Sequence, residues 1–179
     1  MNQTITLSRE RRDLIEALGA HRSFLIRTAV GLTDAQARHR STVSALSIGG
    51  IIKHVTDGEV SWTDFMTGNG LRGDDESIDW ADPDPAVLAD YQQHFIMTAD
   101  ETIAGILDRY AEVAAQTDRL VATIDDLDAE YPLPAAPWFT PGATRSARRT
   151  LIHIIAETAQ HAGHADVIRE AIDGQSSMG

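Results

Sequence analysis

The sequence contains no cysteine, which excludes disulfides, a thiolate nucleophile and sulfur ligands for a metal. Any metal in this protein must therefore be bound by nitrogen and oxygen atoms. Any thiol chemistry must use a thiol that belongs to a second molecule.

Basic residues are scarce, with 15 Lys and Arg against 27 Asp and Glu, and the net charge is −12. This negative charge argues against nucleic acid or an anionic membrane as a partner. No apolar run approaches the roughly 18 residues that a membrane span needs, and the first residues lack the basic-then-apolar pattern of a secretory signal. We therefore expect a cytoplasmic protein that binds a small molecule. The 179 residues, of which 42% are apolar, fit one domain spanning 1–179.

Apolar residues recur at intervals of three and four along most of the chain, whereas no segment of useful length alternates with the two-residue period of a strand. This periodicity predicts long helices over 7–29, 47–66, 86–126 and 150–173. A capping-box pattern at 98–101 leaves open whether the third helix is continuous or bends and restarts there. Four long amphipathic helices predict an all-α four-helix bundle.

Two stretches interrupt the helical pattern, a Gly- and Asp-rich segment over 68–85 and a Pro-rich segment over 131–142. The aromatic residues within them include Trp80, Trp138 and Phe139. Aromatic side chains in such irregular segments are suited to cover a pocket, and the alternative is that they only anchor the loops.

The last helix carries metal-binding residue types at intervals of four, four and three: His153, Glu157, His161 and His164. Such intervals place side chains on one face of an α-helix. Because Ala156 and Ala165 continue the stripe, we expect this face to lie against the protein interior. Buried imidazoles and carboxylates are costly unless they are paired or bind a metal. The stripe therefore predicts half of a metal site, with a hydrogen-bonded polar seam or a surface histidine cluster as the alternatives.

A further histidine lies on the helix predicted over 47–66. His54 shares the apolar face of this helix with Trp62. Gly49 and Gly50 weaken the helix by about 1 kcal/mol each, and they predict close approach by the backbone of a partner helix. A lone histidine on an apolar face is usually a core residue, but here the stripe on the last helix offers it a partner.

The candidate metal ligands are His54, Glu157 and His161. Two ligands four residues apart on one helix can bind the same ion, and a third from a facing helix completes a triangle. Two imidazoles and one carboxylate leave at least one coordination position open, as in a catalytic zinc site and also in a mononuclear iron(II) site. The spacing differs from the His-Glu-x-x-His motif of zincins, and a di-iron bundle would need a Glu-x-x-His pair on each of two helices.

The two remaining histidines of the stripe are candidates for other roles. His164 lies about 4.5 Å beyond His161 along the helix axis, which is too far to bind the ion easily together with both ligands of that helix. We assign His164 to substrate contact or proton transfer, and His153 to support of the ligands. A packing role is the alternative for both.

Several segments near the two ends of the chain resemble the DinB-like (DinB/YfiT) superfamily of metal-dependent four-helix bundles, closest to an actinobacterial branch near the mycothiol-dependent maleylpyruvate isomerases. They are 18–22, 31–38, 44–47, Lys53-His54 with Glu59 and Trp62, and 157–174. Many members carry His-x-x-x-His on the last helix, whereas this chain has Glu157 in place of the first histidine, as those isomerases do. The resemblance implies the ligands His54, Glu157 and His161, in agreement with the spacing.

The resemblance also implies a function. It indicates a divalent ion, zinc with nickel or iron as alternatives, and a low-molecular-weight thiol such as mycothiol as cosubstrate. The ion would lower the pKa of the thiol in a transferase or isomerase that acts on a small molecule, and Trp62 and Arg169 would lie around the ligands or in the pocket. The alternative is a non-catalytic metal-binding bundle that acts in stress response or binds a small ligand. By resemblance and by the frequency of two-fold oligomers, we expect a homodimer.

Overall fold

The computed structural model describes residues 7–71 and 84–177. Its helices are α1 (Arg9–Ala29), α2 (Asp34–Arg38), α3 (Ile48–Phe65), α4 (Pro85–Gln93), α5 (Ile103–Thr123) and α6 (Ala147–Asp173), and its strands are β1 (Glu130–Pro132) and β2 (Thr144–Ser146). The long helices α1, α3, α5 and α6 form a bundle, in which α6 packs against α1 and α3 while α5 packs against α3 and α1. The predicted all-α four-helix bundle is confirmed.

Each long helix begins at a Ser or Thr whose hydroxyl accepts a hydrogen bond from a backbone N–H of the first turn. These N-cap residues are Ser8, Ser47, Thr102 and Ser146. The hydroxyl satisfies a donor that the helix would otherwise leave unpaired, which stabilises the helix by about 1 kcal/mol. At its other end α6 stops at Gly174, whose φ of 77° is the left-handed conformation that glycine adopts most easily.

The connection between α4 and α5 shows that the third predicted helix is not continuous. The chain leaves the helix after Gln93, and α5 starts from Thr102 rather than from the predicted capping box. The Thr98 backbone N–H does donate to Glu101 Oε2 at 2.7 Å, but Glu101 also pairs with Lys53 of α3 at 2.8 Å. The capping-box residues therefore attach a non-helical connection to α3.

Glycines near the start of α3 admit this connection. A Cβ atom on Gly50 would overlap the carbonyl carbon and oxygen of Phe95, and one on Gly49 would overlap the sulfur of Met97. The predicted close approach is therefore present. At Gly50 the approaching backbone belongs to the connection between α4 and α5 rather than to a helix, whereas at Gly49 the backbone carbonyl of Ala37 in α2 also lies close, 3.3 Å from the added Cβ. Only residues without a side chain leave enough room for a backbone at this distance.

Two short strands accompany the helices in the described part of the chain. β1 and β2 pair antiparallel, with Tyr131 opposite Arg145. Each strand has three residues, which are too few for a two-residue alternation to be recognised, and Pro132 lies in one of them. The hairpin closes the Pro-rich segment into a loop and leads the chain into the N-cap of α6.

Apolar side chains fill two buried clusters, and α6 contributes to both. The first cluster includes Leu25, Ile51, Tyr110 and Ile168, and the second includes Leu18, Phe65, Val121 and Leu151. Among the helices of the described residues, none combines the length and the apolar character that crossing a membrane requires.

Candidate metal centre

Three predicted ligands meet between α3 and α6. His54, Glu157 and His161 each offer a nitrogen or oxygen atom, and these atoms lie within 4.8 Å of one another. The rings of His54 and His161 are edge-on, with centroids 5.0 Å apart, and His161 Nε2 lies 3.6 Å from Glu157 Oε2. All three residues are half-buried. Atoms of these types at such separations can converge on one divalent ion.

The orientation of His54 depends on the connection between α4 and α5. The His54 ring stacks on Phe95, with centroids 4.0 Å apart and planes inclined by 22°. Lys53 Nζ, next to His54 in the chain, donates to the Ile96 carbonyl at 3.2 Å. The same connection packs against Gly49 and Gly50 of α3. It therefore contacts both the glycine pair and the candidate ligand His54. Sequence reasoning missed Phe95, because no periodicity connects it with His54.

The surroundings hold His54 and Glu157 in the protonation states that a metal requires. Burial, reinforced by the neighbouring His161 imidazole, lowers the pKa of His54 from 6.5 to about 4, so this ring is neutral at physiological pH. The contact with His161 lowers the pKa of Glu157 despite partial burial, so this group is a carboxylate. His161 Nδ1 is buried and has no hydrogen-bond partner in the described part of the chain. A neutral imidazole, a carboxylate and an unpaired ring nitrogen fit a divalent ion.

The polar stripe of α6 does not lie on the buried face of the helix, which corrects the expectation drawn from Ala156 and Ala165. Ala156 is exposed, and His153, Glu157 and His161 lie half-buried at the edge of the buried face. That face consists of Ala147, Thr150, Leu151, Ile154, Thr158, Ala162, Ala165, Ile168 and Arg169. Apolar side chains occupy the centre because ionisable groups lose more hydration when they are buried. The three candidate ligands therefore remain partly accessible from outside the bundle.

The ligands open into a cleft with a volume of about 340 Å³. Trp138 and Phe139 line it, in agreement with the role predicted for the Pro-rich segment, whereas Trp80 lies outside the described residues. The other lining residues are His54, Val55, Gly58, Glu59, Trp62, Tyr91, His153, Ile154, Glu157, Thr158 and His161. Mostly apolar walls with a few polar groups at one place are typical of a site for a small organic molecule.

Two of the predicted surrounding residues lie in the cleft. Trp62 and His153 both line it, and their rings meet edge to face with centroids 4.7 Å apart. His153 Nε2 lies 4.0 Å from Glu157 Oε1. His153 thus connects the ligand residues with the aromatic wall of the cleft.

The two other predicted residues lie outside the lining of the cleft. His164 is exposed, and its ring centroid is 5.5 Å from that of His161. Arg169 is buried, and its Nη1 donates to the carbonyl groups of Thr28 and Val30, each at 2.8 Å. The contacts of Arg169 therefore join α6 to the end of α1.

Sequence reasoning also missed a buried ion cluster next to the cleft, formed by Arg22, Glu59 and Asp118. Arg22 binds Glu59 through Nη2 at 2.5 Å and Asp118 through Nη1 at 2.8 Å. Glu59 lines the cleft although only 2% of it is exposed. Burial opposes the charge of Arg22, but the two carboxylates raise its pKa above the ordinary value. The sequence did contain a signal for this cluster, because an arginine and a glutamate lie on the apolar faces of two helices. A charged group that is buried on such a face needs a partner of opposite charge.

The chain can now be compared with known proteins. A model of the mycothiol S-transferase family matches residues 13–174. The chain belongs to the mycothiol S-transferase family. A search of curated proteins finds no match.

Two solved structures share the fold of this mycothiol S-transferase family member. A conserved protein from Enterococcus faecalis is 16% identical, with a TM-score of 0.62 and coverage of 94% of this chain and 100% of that chain. YfiT from Bacillus subtilis, described as a probable metal-dependent hydrolase with an unusual four-helix bundle topology, is 14% identical, with a TM-score of 0.62 and coverage of 94% and 91%. The family match and the shared fold together confirm the resemblance to the DinB-like superfamily.

Proposed function

We propose that this protein is an enzyme that uses a divalent ion to transfer a low-molecular-weight thiol to a small molecule, or to isomerise that molecule with the help of the thiol. The observation that carries the proposal is the meeting of His54, Glu157 and His161 at the wall of an open cleft. The family match supports mycothiol as the thiol. The absence of cysteine is consistent with a thiol that enters as a cosubstrate.

The proposed ligands would hold the ion through two imidazole nitrogens and one carboxylate oxygen. Three protein ligands leave a position for a substrate group, which is typical of catalytic zinc sites, whereas structural zinc sites usually have four protein ligands. The bound ion would supply Lewis acidity and lower the pKa of a thiol. Zinc fits this donor set, and nickel and iron(II) are the alternatives.

Two histidines beside the ligands are candidates for accepting the thiol proton. His164 is exposed next to His161, where it can exchange protons with solvent. His153 lines the cleft, and burial together with the charge of Arg145 lowers its pKa, so its imidazole is neutral and able to accept a proton. Replacing the acting base by Ala should lower turnover by roughly a hundredfold while the metal stays bound.

Metal content and turnover, measured on the same samples, test this proposal. The purified protein should contain a divalent ion by elemental analysis and should consume mycothiol in the presence of an electrophile such as monochlorobimane. His161→Ala should lose both the bound metal and the consumption of thiol. His153→Ala and His164→Ala should keep the metal, and the variant with the lower turnover identifies the base. Metal binding without thiol consumption across a panel of electrophiles would contradict the proposal and would favour the non-catalytic metal-binding bundle.

A further inference from the structure

A half-buried arginine, which has no acidic partner among the described residues, adjoins the aromatic wall of the cleft. Arg145 Cζ lies 4.6 Å from the centroid of the Trp62 ring and 5.6 Å from that of the Phe139 ring. Both rings line the cleft. Within the described part of the chain, Arg145 Nη1 is buried without a hydrogen-bond partner. An unpaired guanidinium donor that is removed from water is costly, so a partner from outside the chain would be stabilising.

The lack of a partner distinguishes Arg145 from the other buried or half-buried arginines among the described residues. Arg11 and Arg38 donate to backbone carbonyl groups, and three more arginines are paired with acids. Those three bind carboxylates: Arg22 binds Glu59 and Asp118, Arg148 binds Glu10 and Asp128, and Arg169 binds Asp173. In a chain with a net charge of −12, acidic groups are abundant. Arg145 is nevertheless the described arginine with a buried guanidinium nitrogen that no described group of the chain pairs with, and an anion from outside the chain would satisfy it.

The hairpin holds Arg145 in a fixed position. Arg145 lies opposite Tyr131 in the strand pair, and the Tyr131 ring packs against Phe65 with centroids 5.8 Å apart. The next residue, Ser146, is the N-cap of α6. A side chain presented by such paired and capped backbone is oriented more accurately than one on a free loop.

Positive charge is concentrated at this end of the cleft. Arg149, one helical turn beyond Arg145, is exposed, and its charge adds to burial in lowering the pKa of Arg145. Arg145 in turn adds to burial in lowering the pKa of His153. The carboxylate of Glu157 lies farther along α6, beyond His153. An anion that enters the cleft is therefore attracted to the end at Trp62, whose ring Arg145 contacts.

We propose that the guanidinium of Arg145 binds a carboxylate of the small-molecule substrate, which places the rest of that molecule beside His54, Glu157 and His161. The inference rests on the proposed function only in treating the bound molecule as the substrate. A carboxylate fits because it is planar, accepts two parallel N–H donors of a guanidinium and can lie against aromatic rings. The aromatic wall then accommodates an apolar remainder.

Benzoate and benzamide provide the test, because they share a ring and a size but differ in charge. Calorimetric titration of the purified, metal-loaded protein should show that benzoate binds at least about tenfold more tightly than benzamide. Arg145→Met should abolish this preference, and Arg145→Lys should keep only part of it, because an ammonium lacks the planar pair of donors. Arg148→Met is the matched control and should keep the preference, since Arg148 is already paired with Glu10 and Asp128.

The metal ligands are the competing site for a carboxylate, so His161→Ala is titrated in parallel and should keep the preference for benzoate. A preference that is lost in His161→Ala but kept in Arg145→Met would overturn the proposal. Equal affinity of the wild type for the two compounds, or no binding of benzoate, would also overturn the proposal. This comparison uses the wild type alone, so it does not depend on whether a variant folds. A protein that prefers benzoate through Arg145 but consumes no thiol would refute the thiol chemistry and leave the anion site in place.

Discussion

Two polar clusters lie next to each other in the bundle, and they differ in how their charges are satisfied. In the ion cluster of Arg22, Glu59 and Asp118, opposite charges bind one another, and the Arg22 and Glu59 side chains are only 5% and 0% exposed. The ligand group of His54, Glu157 and His161 is half-buried and leaves His161 Nδ1 without a partner among the described residues. The comparison indicates that the ion cluster is satisfied within the chain, whereas the group of His54, Glu157 and His161 retains an unpaired ring nitrogen and is the candidate site for an ion from outside.

The largest effect is expected from breaking the ion cluster. Glu59→Gln would leave the buried guanidinium of Arg22 with only the half-exposed carboxylate of Asp118, and we expect a loss of about 3–5 kcal/mol in the free energy of unfolding. Urea unfolding at neutral pH measures this free energy for the variant and the wild type. Asp118→Asn is the control and should cost less than about 1 kcal/mol, because Asp118 is 38% exposed. A loss of less than about 1 kcal/mol for Glu59→Gln would show that the buried pair does not stabilise the fold.

The second effect concerns metal binding by the ligand group. His161→Ala should weaken metal affinity by more than about a hundredfold, since changes merely around a ligand already cost tenfold to a hundredfold. The metal-free variant should unfold at nearly the same urea concentration as the metal-free wild type. Competition with a chromophoric chelator measures the affinity, and His39→Ala, which removes an exposed histidine, is the control. Full metal occupancy of His161→Ala after dialysis against a weak chelator would exclude His161 as a ligand.

A smaller effect is expected when the metal is removed from the wild type. The ion cluster and the apolar core do not depend on the metal, so the helices should stay folded. An ion present at about 100 times its dissociation constant contributes about 2.7 kcal/mol, which corresponds to a fall in Tm of roughly 5–10 °C for a chain of this length. Thermal unfolding followed by far-ultraviolet circular dichroism, with and without chelator, measures both quantities. Collapse of the helical signal on chelation would mean that the metal is structural.

The last expected effect is a pH dependence of the metal-free protein. The pKa of His54 is about 4 in the folded protein, compared with an ordinary value of 6.5. Between these two values the unfolded chain binds a proton that the folded protein does not, so the stabilisation is complete above pH 6.5 and is lost as the pH falls toward 4. The Tm of the metal-free wild type should therefore decrease as the pH falls over this range, and the Tm of His54→Gln should decrease less steeply. His39→Gln should retain the wild-type slope, and identical slopes in all three proteins would argue against this account of His54.

Local sequence was sufficient for the features that depend on neighbours along the chain. Hydroxyl caps such as Ser47 and helical periodicity predicted most of the helices, because a helix satisfies its hydrogen bonds within a few residues. The interval between Glu157 and His161 likewise placed two ligands on one side of α6. The single domain and the homodimer stay predictions, and sizing chromatography tests the latter.

Only the tertiary structure decided the features that depend on contacts between distant segments. Phe95 stacks on His54 because two glycines of α3 admit a distant connection. The apolar residues of α6, rather than its histidines, occupy the buried face, because apolar groups compete better for the centre of the bundle. Arg22 and Arg145 are indistinguishable as residue types in the sequence. One is buried with two carboxylates and the other is left without any among the described residues, because packing determines which charges meet.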